Sequence, residues 1–317
     1  MDALASARPG ERWVLRHRLA DGSATDVIGW MEQIERDSIS VVTSDGLVVG
    51  LATADIILAR RAPAAAGGPD PLRTTAEDLE RYALPGWLGL SEPLGEWTLR
   101  AAHGFTSRAN SCLAVGNPGM PMEAAAAKIV AFSAADGIEP KAEVIAGSQI
   151  EAGLRALGWT AASPGTDVLV CRLSDLLGEH LPDPVVQVAE TLTDSWQTAY
   201  RLSRPDDVEP ATLRMILDGH PPRAFGGVVS GDERFVAIAR GHLNAAWLGL
   251  ASIWTDPDQR GQGLATKVVI GLGHWAARRG SRYVYLRVAS GNEHARSWCS
   301  HLGFVLHHRN RYLRPAA

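Results

Sequence analysis

The stretch Asp256-Pro-Asp-Gln-Arg-Gly-Gln-Gly-Leu-Ala265 decides the fold of this chain. An apolar run, Ala245 to Trp254, precedes it, and a stripe of apolar residues at helical spacing starts at Leu264. Gly261 and Gly263 lack a Cβ, so the backbone can turn tightly and present several N–H groups to one point. The following helix adds its free N–H groups and the positive end of its dipole. The sequence therefore predicts a strand, a glycine-rich loop and a helix that together bind a pyrophosphate.

Two common nucleotide-binding motifs do not account for this loop. It lacks the Lys-Ser/Thr ending of the phosphate loop of triphosphate hydrolases. It also lacks the three-glycine spacing and the later ribose-binding acid of dinucleotide-binding folds. The loop resembles instead the Arg/Gln-x-x-Gly-x-Gly/Ala signature of the GCN5-related N-acetyltransferase (GNAT) superfamily, with Arg260, Gly263 and Ala265 at the fixed positions.

A second motif follows in the order that this family requires. Tyr283 to Val288 alternates like a strand, and Asn292-Glu-His-Ala-Arg-Ser-Trp-Cys-Ser-His-Leu-Gly-Phe304 comes next. It is similar to the Asn-x-x-Ala-x-x-Leu-Tyr-x-x-x-Gly-Phe motif of GNAT proteins, with the Asn, Ala, Gly and Phe in register. Asn292 can also act as the N-cap of a short helix. The resemblance extends from about Val185 to the C-terminus.

The resemblance implies an acetyl-CoA-dependent N-acetyltransferase that transfers acetyl directly to a primary amine. In this family the end of the strand before the loop pairs with the pantetheine arm, and the loop binds the pyrophosphate. The residues expected to contact acetyl-CoA are Ile253, Trp254, Thr255, Arg260, Gly261, Gln262, Gly263, Leu264, Ala265, Thr266 and Asn292.

The proton donor for the leaving thiolate is a departure from the family pattern. Cys299 stands at the position of the usual tyrosine, and a thiol has a suitable pKa for this role. A cysteine on the inward face of a helix is also a common core residue, and this is the favoured interpretation. Water, Tyr312 and Tyr285 are the other candidate donors.

The general base is equally undefined by the sequence. No carboxylate lies between Arg234 and Thr255, where many GNAT enzymes carry a glutamate. His242 is the titratable group there with a pKa suited to neutral pH. The favoured alternative is a water relay, which could involve Glu233, Asp256 or Asp258.

The acceptor is predicted to be a small amino-acid-like amine, with glutamate as one candidate that the resemblance implies. Arg223, Arg240 and Arg287 are candidates to hold its carboxylates, and Trp196 and Tyr200 are candidates to line the groove. A protein or peptide amine is the competing acceptor. A non-catalytic acetyl-CoA-binding sensor is the competing function.

Composition excludes several other classes of protein. The 317 residues carry a net charge of −4, which leaves no basic excess for a dedicated nucleic-acid binder. No stretch has the length and apolarity of a signal peptide or a membrane span, so we expect a cytoplasmic protein. The three cysteines are far apart, and His294 and His301 near Cys299 lack a fourth ligand of suitable spacing, so no metal is expected.

The chain is predicted to have an α/β (α+β) fold with tandem GNAT-like mixed sheets flanked by helices, preceded by a small SH3-like β-barrel. The barrel covers residues 1–61, where short apolar runs are separated by Asp21-Gly22 and Asp45-Gly46, a strong hairpin signal. The segment 62–74 is predicted to be a linker. A packing or oligomer interface is the favoured role of the barrel, so a homo-oligomer is possible.

Residues 75–182 are predicted to be a degenerate GNAT-like domain, and residues 183–317 the catalytic one. Both segments repeat the order strand, loop, helix, strand, helix, Gly-aromatic, strand. In the first segment the strands are predicted at Trp97 to Ala102 and Ala109 to Val115, and a helix at Met122 to Ala135. Its loop, Gly116-Asn-Pro-Gly-Met-Pro121, contains two prolines, each of which removes an N–H donor from a pyrophosphate site.

Overall fold

The computed structural model describes residues 4, 7, 11–43, 47–62, 70–204 and 208–316. The Asp45-Gly46 turn and most of the predicted linker lie outside the described residues. The N-terminal domain contains five antiparallel strands, paired in the order β4-β3-β2-β1-β5. Their bounds are β1 (Arg12–Arg18), β2 (Ala24–Ile34), β3 (Ser38–Thr43), β4 (Val48–Ala52) and β5 (Ile56–Arg61).

The first hairpin of this domain forms where the sequence predicts it. Gly22 has a φ of +84°, which the Asp21-Gly22 turn supplies without steric strain. Trp13, Leu15 and Met31 alternate inward and form the core of the domain. Trp30 faces the opposite way and packs into the core of the C-terminal part of the chain.

Residues 75–182, here called the first half, contain four helices and six strands. The helices are α1 (Ala76–Ala83), α2 (Met122–Ala135), α3 (Gln149–Ala156) and α4 (Leu173–Leu177). The strands are β6 (Leu90–Leu94), β7 (Trp97–Ala101), β8 (Cys112–Leu113), β9 (Ala142–Ile145), β10 (Thr160–Ala161) and β11 (Thr166–Arg172).

The strand predicted over Ala109 to Val115 is shorter in the structure. The side chain of Asn110 accepts from the N–H groups of Ala102 and Gly104 and donates to the carbonyls of Phe105 and Thr106. These bonds hold the preceding residues in a turn, which competes with strand pairing. Only Cys112–Leu113 remains as a strand.

Residues 183–316, here called the second half, carry the predicted strand, loop and helix. Its helices are α5 (Asp194–Ser203), α6 (Pro210–Leu217), α7 (Leu264–Ala277) and α8 (Glu293–His301). Its strands are β12 (Val186–Ala189), β13 (Arg223–Val229), β14 (Phe235–Asn244), β15 (Trp247–Thr255), β16 (Tyr283–Ala289) and β17 (Val305–Arg314).

One continuous sheet crosses both halves. Among the described residues it has twelve strands, in the order β12-β13-β14-β15-β16-β11-β17-β9-β8-β7-β6, with β10 on β17. β11 of the first half lies between β16 and β17 of the second half, antiparallel to both. β17 in turn pairs with β9 and β10 of the first half. Each half therefore contributes its last strand to the other half.

The two faces of the second half have separate cores. Val268, Leu272 and Trp275 of α7 pack on one face of the sheet with Leu248 and Leu286. On the opposite face, α5 and α6 pack with residues of the first half such as Trp87 and Phe105. The face of the sheet opposite α7 is therefore covered by elements of both halves.

Candidate active site

The loop between β15 and α7 is fixed by the side chain of Asp256. This carboxylate accepts from the N–H of Asp258 at 3.1 Å and pairs with Arg234 at 2.6 Å. The Arg234 hydrogen bond is the main reason that the pKa of Asp256 is lowered. Asp256 is thus an anchor of the loop, and this use leaves it poorly suited to the water relay suggested by the sequence.

The glycines of the loop adopt the conformation that the sequence predicts. Gly261 and Gly263 have φ values of +77° and +72°, and a Cβ added at either would have open space around it. Helix α7 begins at Leu264 without a side-chain cap. The N–H groups of its first turn have no partner within the helix by geometry, and the loop residues before it are exposed. The loop therefore presents unpaired N–H donors to solvent at the positive end of α7.

The strands next to this loop separate. β15 and β16 run parallel and pair only from Trp247–Tyr283 to Leu250–Leu286. Beyond Leu250, β15 continues to Thr255 with a partner strand on its β14 side only, while β16 pairs with β11. We call the region between Ala251–Thr255 and the end of β16 the splay. All five β15 residues of the splay are half-buried.

A β-bulge marks the start of the splay. Ile238 of β14 opposes Trp254, whereas Arg240 opposes Ala251, so β15 carries one extra residue between them. Ser252 lies in this bulge with a φ of +55°, and its Oγ is buried without a hydrogen-bond partner. The bulge turns the backbone of Ile253, Trp254 and Thr255 relative to the earlier part of β15.

Helix α8 lies beside the same region. The side chain of Asn292 caps α8 by accepting from the N–H of Ala295 at 3.0 Å. Trp298 donates from Nε1 to Oγ1 of Thr266 in the first turn of α7, at 3.1 Å. These bonds fix α8 against the start of α7, and Asn292 has a structural role independent of any cofactor.

The candidate proton donors are buried side chains. Cys299 is 1% exposed and belongs to the core under α7, and burial raises its pKa to about 11. Tyr312 donates to Glu143 at 3.0 Å, and burial raises its pKa to about 12. Burial also raises the pKa of Tyr285, which packs over Gly249. The burial of Cys299 and its raised pKa favour the interpretation of this residue as part of the core over its role as an acid.

His242 is poorly placed for the role of base. A Cβ at Gly86 would lie 3.2 Å from its imidazole, so the ring packs against the backbone of that residue. His242 also lines a cleft of about 450 Å³ with residues that include His220 and Arg279. Burial, together with the charge of Arg240, lowers its pKa to about 3. A group with so low a pKa accepts a proton from an ammonium group unfavourably, which argues against His242 as the base.

Trp196 and Tyr200 lie in the core under α5. The indole Nε1 of Trp196 donates to the carbonyl of Gly226 at 3.0 Å, and its ring stacks on that of Tyr200. Both side chains are at most 2% exposed. Trp196 lines a cleft of about 310 Å³ with residues that include Phe225 and Glu233, whereas Tyr200 is not among the lining residues of that cleft.

The three candidate arginines for the acceptor already have partners. Arg223 pairs with Asp218, and Arg240 donates to the carbonyls of Leu217 and Gly86 at 2.7 Å each. Arg287 forms ion pairs with Glu80 and Glu143. These contacts give each of the three arginines a structural role and argue against their use for the carboxylates of an acceptor. The sequence gives no signal for the partners of Arg287, because Glu80 and Glu143 are distant along the chain.

A buried ion network joins the two halves below the splay. Arg100 of β7 pairs with Glu143 of β9 at 2.7 Å, and Glu143 also pairs with Arg287 of β16. Burial opposes the ionisation of Glu143, but the charges of Arg287 and Arg100 outweigh it and hold its pKa below the usual range. Removal of one partner from a buried pair costs about 3–5 kcal/mol of stability.

A cation of the first half that the sequence analysis missed lies on the same face. The guanidinium of Arg108 stacks on Trp87 at 5.1 Å, and Arg240 lies 5.8 Å from the same indole. No described carboxylate forms an ion pair with Arg108, and its Nε is buried without a partner. Residues 87 and 108 are brought together by the fold, so no local pattern could indicate them.

Metal-ligand clusters and membrane-spanning helices were sought in the part of the chain that the structure describes. No group of three or more His, Cys, Asp or Glu side chains is arranged to hold a metal ion there. None of the described helices has the length and apolarity needed to cross a membrane.

Both parts of the chain match known protein families. Residues 75–313 match the family described as "Probable histone acetyltransferase Rv0428c C-terminal", and residues 7–60 match "Rv0428c N-terminal Sm-like domain". No curated protein matches the chain.

Solved structures support the fold. A GCN5-related N-acetyltransferase from Kribbella flavida is 18% identical with a TM-score of 0.56, and covers 77% of this chain and 97% of its own. A conserved protein of unknown function from Staphylococcus epidermidis is 11% identical with a TM-score of 0.53, at 76% and 97% coverage. Together with the splay and the N–H loop, these matches show that the chain belongs to the Rv0428c C-terminal family of GNAT proteins, with an N-terminal Sm-like domain.

Proposed function

We propose that the protein transfers the acetyl group of acetyl-CoA to a primary amine. This proposal rests on two structural features that lie side by side at Thr255. Five residues of β15 leave one edge open, and the strand leads directly into a loop of unpaired N–H groups. The open edge suits an amide-bearing pantetheine arm, and the loop suits a pyrophosphate.

The residues present fit acetyl-CoA. Gly261 and Gly263 leave open space where a side chain would obstruct the phosphates, and Thr266 is fixed by Trp298. When bound, acetyl-CoA supplies a thioester carbon that an amine can attack. Successive N–H groups of a strand point to opposite edges, so only alternate N–H groups of Ile253 to Thr255 face the open edge, where one can stabilise a developing oxyanion.

Proton transfer is assigned to water in this proposal. The described residues of β14 and β15 bring no carboxylate to the splay, and His242 is held neutral by burial. Cys299 is enclosed in the core and does not supply a proton to the departing thiolate. The protein thus contributes orientation and polarisation, and solvent carries the protons.

Two kinds of amine are candidates for the acetyl acceptor. A small amino-acid-like amine is favoured, because both halves enclose the face opposite α7. The family description names a histone acetyltransferase, so a protein amine is the alternative acceptor. A non-catalytic acetyl-CoA sensor is the second candidate function, and the burial of Cys299 at the position of the family's tyrosine favours it.

Calorimetry with acetyl-CoA and a thiol-release assay with an amine panel test these functions. Gly263→Asp is expected to weaken acetyl-CoA binding at least tenfold, because a carboxylate would face the pyrophosphate and the positive φ would be strained. Gly137→Asp is the matched control, since Gly137 has a φ of +65°, is exposed and has equally open surroundings. Equal affinity of the two variants contradicts the binding site. Tight binding without acetylation of any amine selects the sensor.

A further inference from the structure

The buried network between the halves has more cations than carboxylates. Arg100 and Arg287 share the carboxylates of Glu80 and Glu143. Arg108 lies close enough for its charge to act on Glu143 and Arg287, yet no described carboxylate pairs with it. The Arg108 side chain is half-buried at the edge of this network, and burial lowers the pKa of its guanidinium. Three arginines thus share two carboxylates, Glu80 and Glu143, which leaves one positive charge without a partner.

The surroundings of Arg108 hold it in place and leave it accessible. Its loop is fixed by Asn110, and its guanidinium rests on the indole of Trp87 at 5.1 Å. The side chain is half-buried, although its Nε is fully enclosed and has no partner. An arginine held by stacking rather than by ion pairs keeps its planar set of donors free for a ligand.

Arg108 lies on the face of the splay from which an acceptor would approach. Tyr285 and Arg287 flank Leu286, the last residue of β16 that pairs with β15, and alternate to the face opposite α7. The charge of Arg108 acts on both of these residues. Trp87, on which it stacks, packs in one cluster with Ala251 and Trp254 of β15.

Resting on the proposed acetyl transfer, we propose that Arg108 binds a carboxylate of the acceptor amine. A carboxylate accepts two parallel hydrogen bonds from a guanidinium and supplies the missing negative charge. Arg240, on the same indole, has a buried Nη2 without a partner and adds positive potential. The first half, whose own loop lacks the Arg-x-x-Gly signature, thus supplies the acceptor-binding residue of the second half.

The test measures binding and turnover separately. Full-length protein saturated with coenzyme A is titrated with amines in pairs that differ by one carboxylate: glycine and glycinamide, L-alanine and L-alaninamide, L-glutamate and L-glutamine. The same amines are assayed for thiol release from acetyl-CoA. The variants are Arg108→Gln, Arg108→Lys and, as a control, Arg73→Gln, an exposed residue just before the first half.

We expect the wild type to bind the member of a pair with the additional carboxylate at least tenfold more tightly. Arg108→Gln removes this preference and leaves the KM for acetyl-CoA unchanged, and Arg73→Gln behaves as the wild type. Arg108→Lys keeps the positive charge without the planar guanidinium and gives an intermediate preference for the amine with the additional carboxylate. The Tm of Arg108→Gln stays equal or rises, because an unpaired cation is removed, whereas Arg100→Gln lowers the Tm.

The outcomes separate this proposal from the proposed function. Loss of carboxylate binding in Arg108→Gln, with no amine acetylated by any variant, supports the site and refutes acetyl transfer. Acetylation without a carboxylate preference, or with a preference that survives in Arg108→Gln, refutes the site and supports acetyl transfer. Failure of the wild type to bind any of the carboxylate probes also refutes the site.

Discussion

Single side chains at the positions of the family's catalytic residues have become parts of the core. Cys299 replaces a tyrosine, and its thiol is enclosed by apolar residues under α7. The neutral imidazole of His242 packs against the backbone of Gly86. In the proposed acetyl transfer the chemistry is left to backbone N–H groups and water, which carry no signature in the sequence.

Replacement of Cys299 by alanine is expected to leave turnover within about tenfold of the wild type, because a general acid typically contributes roughly a hundredfold or more. The variant should lose roughly 1 kcal/mol of stability from the small cavity left by the sulfur. Thiol-release kinetics and thermal unfolding measure the two effects, and acetyl-CoA affinity serves as the control. A roughly hundredfold slower turnover, with Tm and affinity unchanged, would show that the thiol is the proton donor.

Protonation of His242 is expected to link stability to pH. Its folded pKa of about 3 lies below its unfolded value of about 6.5, so the unfolded chain binds the proton first as the pH falls. The stabilisation of the fold by neutral His242 is therefore complete above pH 6.5 and decreases as the pH falls toward 3. Between pH 7 and pH 5 this stabilisation falls by about 2 kcal/mol in the free energy of unfolding.

Urea unfolding of His242→Asn between pH 7 and pH 5 measures this contribution. The variant should lose less stability over that interval than the wild type, whereas the exposed His294→Asn should follow the wild type. Part of the dependence of stability on pH remains in His242→Asn, because burial also lowers the pKa of His274, to about 4. Identical slopes for wild type and His242→Asn would contradict the assignment.

Two strand-to-helix loops occupy equivalent places in the halves but differ in their N–H groups. In the second half the loop residues are exposed and α7 lacks a side-chain cap. In the first half the carboxylate of Glu96 accepts from the N–H of Asn117 at 2.6 Å, and a Cβ at Gly116 would lie 2.6 Å from its Oε2. An internal carboxylate thus lies where a phosphate would need to bind.

One acetyl-CoA per chain is the expected stoichiometry. The Glu96 carboxylate repels a pyrophosphate, and Pro118 and Pro121 lack N–H donors. Calorimetric titration of the wild type should give a single site, and Gly263→Asp should weaken binding at that site at least tenfold. A second site that persists in Gly263→Asp would show that the first half also binds the cofactor.

Local signals predicted the elements well. Helix α2 has the predicted bounds, Met122–Ala135, because Pro121 and Gly137 mark its ends. The glycine loop and the cap of α8 by Asn292 are also local and were predicted. The ion network and the Arg108–Trp87 stack depend on residues that are distant along the chain. Their positions follow from strand pairing, which hydrophobic periodicity does not specify.

The exchange of last strands makes the two halves one structural unit. β11 is buried between β16 and β17, and the network of Arg100, Glu143 and Arg287 crosses the same boundary. Neither half can satisfy these groups alone. The sequence predicted two successive GNAT-like segments, but the exchange could not be inferred, because β11 and β17 carry no mark of their partners.

Residues 75–182 expressed alone are expected not to fold, since β11 would lose both neighbouring strands and Glu143 would lose Arg287. Circular dichroism and heteronuclear NMR of this fragment should show no cooperative transition. Coexpression with residues 183–317 should restore a soluble complex, with the intact chain as the reference. A sharp unfolding transition of the isolated fragment would mean that the first half is an independent domain.

The position of β17 between β11 and β9 also delays the burial of β11 during synthesis on the ribosome. The 133 residues from Arg172 to Val305 must be added before β11 can acquire its second neighbour. At about 5–20 residues per second this takes about 7–27 seconds. During that interval the apolar run Val168 to Cys171 leaves the ribosome without the strands that bury it. The nascent first half thus has an exposed β-edge for about two fifths of translation, the time needed for 133 of 317 residues, and its yield should depend on the chaperones that bind such segments.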